Sequence, residues 1–202
     1  MSASLTSLIA EVYTLTNRPD LISETLSAVK AATLKAHQVD DWIKDLAEYS
    51  IQFNIPDYYQ SLDYKAVIPL WRKPRYIRKY ETNPVTGISA PSLILQYIEP
   101  EKVVDSYKLD RLDVFYVAGS NIQIRSSTLL QNLLVGAYIN PTLTTSDYSS
   151  WIANDHPYAI IYEAVAIVYK TIGYDEQVSI YRVMVGEQLQ MLKQHATTGI
   201  GM

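Results

Sequence analysis

The hydrophobic period of this chain changes twice, and that change constrains the fold more than any single motif. Leu5, Leu8, Ile9, Val12 and Tyr13 recur at the three- and four-residue spacing of one helical face, which predicts a helix over 4–16. Asn17-Arg18-Pro19-Asp20 breaks it. Pro19, Asp20 and Glu24 then read as the opening turns of a second helix, whose face runs through Ile22, Leu26, Val29 and Thr33 towards His37. A short helix over 40–48 is expected next, with Asp40 and Asp41 at its positive end and Trp42 and Leu46 turned inward.

Beyond Tyr49 the period is two. Ile51, Phe53 and Ile55 alternate with Gln52 and Asn54, and segments 66–71, 75–80, 92–98 and 133–139 read as further strands, with Pro69 and Pro74 at edges or bulges. Residues 113–126 read as a hairpin, because Gly119 supplies the positive φ of a tight reversal between Val114-Phe115-Tyr116-Val117 and Ile122-Gln123-Ile124-Arg125. After a threonine-rich connection ending at Ser150 the helical period returns. Residues 158–170 are apolar nearly all round, so both sides of that helix must be covered. Gly173 ends it, Asp175 caps the next, and Val178, Tyr181, Val185, Leu189 and Leu192 form a stripe to Lys193.

Helices, then strands, then helices imply an α+β architecture: a bundle made of the terminal helices and a central antiparallel sandwich or sheet lobe. The expected division is 1–49 for the first helices, 50–145 for the inserted β-rich lobe, 146–194 for the last helices and 195–202 for a flexible tail.

Composition excludes several classes. With no cysteine among 202 residues, disulfide frameworks, thiolate metal sites and cysteine nucleophiles are ruled out together, and a reducing compartment such as a cytoplasm is expected. Met1-Ser2-Ala3-Ser4-Leu5 lacks the basic flank and apolar run of a secretory signal. The apolar stretch 158–169 contains Glu163 and would span about 18 Å as a helix against roughly 30 Å of hydrocarbon, so no membrane partner is expected. Seventeen tyrosines against two phenylalanines suit a protein with much contact surface, and equally a half-exposed sheet, because the ring packs while the hydroxyl stays wet.

Chemistry is hard to find. His37, His156 and His195 are far apart and none has a second ligand at metal-binding spacing; His156, between Asp155 and Pro157, reads as a turn residue before a helix. There is no phosphate loop and no GxSxG elbow, and Gly199-Ile200-Gly201 has no helix after it. Asp40, Asp41 and Asp45 offer carboxylates one helical turn apart, but a helix start solvated at its positive end explains them. No catalytic residue, cofactor site or metal site is therefore assigned. Net charge is -4, yet Arg72, Lys73, Arg75, Arg78 and Lys79 form a basic stripe interleaved with Trp71, Tyr76 and Tyr80. Two readings stay open for it: a contact surface for nucleic acid or a neighbour, or a charged edge strand that resists aggregation.

Two stretches carry a family resemblance. One is Thr16-Asn17-Arg18-Pro19-Asp20-Leu21 with Glu24-Thr25 and the run 31–37; the other is Ser150-Trp151-Ile152-Ala153-Asn154-Asp155-His156-Pro157-Tyr158 with Glu163-Ala164 and 170–176. In these the chain resembles the head-to-tail adaptor proteins of tailed bacteriophages, also called head completion or tail accessory proteins, with 115–126 and 138–141 similar to the family's middle strands. The resemblance implies a virion structural protein at the neck, made and assembled in the host cytoplasm. It implies a ring of about twelve copies docked beneath the portal protein, with tail, nozzle or tail-fibre proteins on its far side and packaged DNA passing through its channel. It also implies that the segment Thr197, Thr198, Gly199, Ile200, Gly201 and Met202 docks into the portal. A DNA-contacting neck module and a tail-associated hydrolase are the alternatives.

Overall fold

The computed structural model describes residues 3–82, 85–104 and 109–198, and its fold is α+β. Contacts divide the chain into two units, Met1–Asp45 with Asn140–Met202, and Leu46–Ile139, where the expected junctions stood at 49/50 and 145/146.

The helical unit opens with α1, Leu5–Thr16. Ser4 caps it by accepting from the Ser7 backbone N–H while the Ser7 hydroxyl accepts from the Ser4 N–H, and Asn17, at φ 51°, closes the far end. α2 spans Ile22–Gln38, so Pro19 and Asp20 lie in the turn before it rather than in its first turn; Asp20 instead receives two 2.8 Å bonds from Arg18. Ala28, Ala32 and Ala36 line its inner face, and such small side chains let α2 approach α5 closely.

The helix expected over 40–48 does not form. A 3-10 turn covers Ile43–Asp45, and the first strand begins at Leu46. In the second half of this unit, β7 (Thr142–Leu143) and β8 (Tyr148–Ser149) pair as a short hairpin before α4 (Trp151–Asp155), α5 (Pro157–Thr171) and α6 (Asp175–Thr198). α5 is the all-round apolar helix: Ile160, Ile161, Ala164, Val165 and Val168 are at most 2 % exposed, with α1, α2, α4 and α6 against it. Each fully buried isoleucine or valine of this set contributes about 1.5–3 kcal/mol, which makes α5 the centre of the unit. α6 follows Gly173, at φ 80°, and it carries on through the residues expected to be flexible from His195 as far as Thr198; Gly199 to Met202 lie outside the described residues.

The other unit is a curled mixed sheet built around one long strand. Its elements are β1 (Leu46–Asp63), the four-residue α3 (Tyr64–Val67), β2 (Trp71–Thr82), β3 (Ser89–Ile94), β4 (Gln96–Tyr97), a 3-10 turn at Pro100–Lys102, β5 (Val114–Ala118) and β6 (Asn121–Ile139). The strands expected over 122–126 and 133–139 are thus one strand of 19 residues, and the strand expected over 66–71 is α3 followed by the start of β2.

β6 is flanked on one side by β5 in its first half and β2 in its second, and on the other side by β1 in both. β1 pairs from Leu46↔Tyr138 to Gln52↔Asn132, breaks register around Pro56, and resumes from Tyr59↔Arg125 to Asp63↔Asn121. Proline lacks the donor a ladder needs, so a bulge there is its natural place; Pro74, beside another register break, obeys the same rule. The sheet is antiparallel except where β4 runs parallel to β5. Ile122, Ile124, Leu130, Leu133, Val135 and Ala137 of β6 are all at most 1 % exposed and form the lobe's core with Ile51, Ile77 and Phe115. Gly136 belongs here for a steric reason: a Cβ would lie 2.5 Å from the Tyr76 ring, which covers this position.

Candidate functional site

The basic stripe lies on β2, and folding disperses it. Register breaks after Trp71 and after Pro74 interrupt the alternation, so its cations do not share one face. Arg72 and Lys73 sit 5.1 and 5.8 Å from the centroid of the Tyr138 ring, and Arg78 sits 5.3 Å from that of Tyr76. Lys73 and Arg75 are exposed, Arg72 and Arg78 half-buried.

Lys79 leaves the stripe altogether. It is 2 % exposed, with Nζ donating to an Asp113 carboxylate oxygen at 2.8 Å and to the Ser127 hydroxyl at 3.2 Å, while Glu81 lies 3.6 Å away. As a contact residue for nucleic acid or a neighbour it is therefore excluded by burial. The signal was in the alternation: Lys79 is two residues from Ile77, so it shares that core-facing side. Burial alone pushes the Asp113 carboxyl up, but the hydrogen bonds from Lys79 and Ser127 outweigh it and hold the carboxyl below its ordinary value of 3.8.

The helical unit brings together three residues that spacing did not connect. His37, at the end of α2, places Nδ1 2.8 and 3.0 Å from the two Asp45 carboxylate oxygens, and Nε2 2.9 Å from the Ser150 hydroxyl. The order is that of a serine hydrolase relay. The surroundings are not: His37, Asp45 and Ser150 are 2 %, 5 % and 4 % exposed, and Ser150 Oγ is occupied as the N-cap of α4, accepting from the Ala153 N–H at 3.1 Å. The Trp151 indole N–H adds a 2.7 Å bond to Asp45.

The cluster therefore ties the end of α2, the 3-10 turn and the start of α4 to one another, with its nucleophile shielded from solvent. Asp45, expected at a solvated helix start beside Asp41, is enclosed instead. Asp40 lies 3.8 Å from Lys193 of α6.

The other two histidines meet each other. The rings of His156, between α4 and α5, and His195, on α6, are 5.1 Å apart. Burial first, and the neighbouring His195 second, push the His156 pKa below its ordinary value. Among the described residues no group of three or more potential ligands is placed to hold a metal, and no helix is long and apolar enough to cross a membrane.

The surface supplies the remaining candidate. α6 buries Val178, Val185 and Leu192 at seven-residue spacing, yet Ile180, Val183, Met184 and Met191 on another face stay 37–65 % exposed. A chain of ring contacts, Tyr158–Tyr162, Tyr162–Tyr181, Tyr181–Tyr169 and Tyr169–Tyr174, has centroids 5.2–6.0 Å apart, and its members Tyr162, Tyr169 and Tyr181 pack against the helical unit's own core. In the lobe, Ile88, Leu93, Ile94 and Tyr97 are 41–66 % exposed around β3 and β4. Of the segment expected to dock into a portal, Thr197 and Thr198 end α6, and Gly199, Ile200, Gly201 and Met202 lie outside the described residues. No protein-family model matches this chain, and no curated protein matches it in sequence.

Proposed function

We propose that this protein is a virion structural protein, the head-to-tail adaptor of a tailed bacteriophage, whose copies form a ring between portal and tail and extend the DNA channel. The observation that carries the reading is the double use of α6. Val178, Val185 and Leu192 make one apolar stripe that is consumed in folding, and Ile180, Val183, Met184 and Met191 make a second that is left in water. A helix with a narrow seam needs only the first. A second, exposed stripe of aliphatic and methionine side chains is the composition of an interface core.

The hydrolase reading has less support. The Ser150–His37–Asp45 relay is enclosed and its serine already caps a helix, so it accounts for stability without a substrate. The DNA-contacting reading loses Lys79 to the lobe's interior and keeps the four remaining cations of β2.

The test is native mass measurement of the purified protein with and without its portal. The expected result is a portal-dependent shift to a ring, abolished in a Val183→Glu, Met184→Glu double variant whose circular dichroism is unchanged. Intact assembly of that variant, or turnover of a substrate by the wild type, would overturn the proposal.

A further inference from the structure

Among the described strands of the lobe's sheet, β1, β3 and the two-residue β4 each pair on one side only, and β1 and β3 are the long ones. β1 is 18 residues long and pairs only with β6, so no described strand lies along its other side. At the opposite edge, the six-residue β3 pairs only with β2. An open edge presents a row of backbone N–H and C=O groups that another strand can satisfy, and monomeric proteins usually guard it with lysine, proline or inward charges.

The guards here are sparse. The stretch of β1 in unbroken register, Leu46–Gln52, contains no lysine, arginine or proline, and its one charged side chain, Glu48, accepts a hydrogen bond from the Tyr76 hydroxyl. β3 carries no charge at all and exposes Leu93 and Ile94 at 41 % and 55 %. Pro91 removes one donor from β3, and the other residues of the strand keep theirs.

Direction decides which partner fits. β3 is antiparallel to β2, β2 to β6, and β6 to β1, so the two outer strands of this four-strand stretch run in opposite senses. A second copy related by rotation about an axis lying along the strands keeps every direction. Its β3 then meets the β1 of the first copy antiparallel, which is the geometry of every rung already in the stretch. The same step repeats from copy to copy, so the contact is heterologous and closes only as a ring.

We propose that a second copy of this chain occupies the open edge: the Leu46–Gln52 stretch of one subunit pairs with β3 of the next, continuing the sheet from subunit to subunit. The inference rests on the ring reading above and adds the contact that would join its members.

The absence of cysteine makes the contact directly testable. Gln52 on β1 and Ala90 on β3 are both exposed. A Gln52→Cys, Ala90→Cys double variant, incubated with portal and treated with a short bis-maleimide that tolerates a shift of a rung, should yield a ladder of covalent multimers. Neither single variant should do so. A Leu93→Lys, Ile94→Lys variant with unchanged circular dichroism should lose that ladder and remain a monomer by native mass. If native mass shows the ring but the double variant does not cross-link, the edge contact is wrong and the ring reading stands. If the Gln52→Cys variant alone gives dimers, like edges meet and the contact is again wrong. If no ring forms with portal at all, both fall together.

Discussion

The Asp45 cluster of the helical unit and the Lys79 cluster of the β-lobe both enclose a charge, and the two are built on different terms. In the helical unit, Asp45 is enclosed with its partners His37 and Ser150, so any carboxylate or imidazole atom left over has no water to turn to. In the β-lobe only the cation is enclosed: Lys79 is 2 % exposed, but the side chains of Asp113 and Glu81 are 27 % and 48 % exposed. The lesson concerns what happens when a cluster is broken. Losing one member of a fully enclosed group strands the rest in a low-dielectric interior, whereas a half-exposed partner rehydrates.

The largest effect is therefore expected in the helical unit. Asp45→Ala deprives His37 and the Trp151 indole of their shared acceptor and should cost about 3–5 kcal/mol of unfolding free energy by chemical denaturation, the range for one-sided removal of a buried pair. Lys79→Met should cost less, about 1–3 kcal/mol, since its methylenes are replaced and Asp113 regains solvent. A Lys79→Met cost equal to or above that of Asp45→Ala would break the comparison.

The smallest effect sharpens it through pH. The folded-state pKa of Asp113 lies below its ordinary 3.8, so in that window the unfolded chain binds more protons; the contribution is fully present above about pH 4 and is lost as pH falls through the depressed value. Wild type should lose stability over that range more steeply than Asp113→Asn. Equal slopes would show that the Lys79 contact does not favour the ionised carboxylate.

What could be read in advance followed from how local each feature is. α1 carries its own cap at Ser4 and its own period through Leu5, Leu8 and Val12, and the hairpin turn carries Gly119 at φ 62°. The segment 40–48 misled because Trp42 and Leu46 have helical spacing, while the pairing of Leu46 with Tyr138, far along the chain, draws this stretch into a ladder instead. For the candidate site, the exposed stripe of α6 was open to view once Val178, Val185 and Leu192 were assigned inward. The His37–Asp45–Ser150 cluster was not, since Ser150 lies 113 residues from His37 and nothing local marks either as a partner.

Read on its own, the amino-acid sequence established the succession of helical, extended and again helical segments, that cysteine chemistry is excluded, and that α5 must be covered on every side. These are properties of neighbouring residues and of totals, so no folding is needed to evaluate them. Tertiary structure alone decided that the Lys79 ammonium meets Asp113 and Ser127, that Asp45 closes a buried relay, and that β1 and β3 are left as open edges of opposite sense. Each depends on which distant strands and helices meet, and burial and pairing are set by that meeting, because a charge or an edge has no fixed environment until the rest of the chain surrounds it.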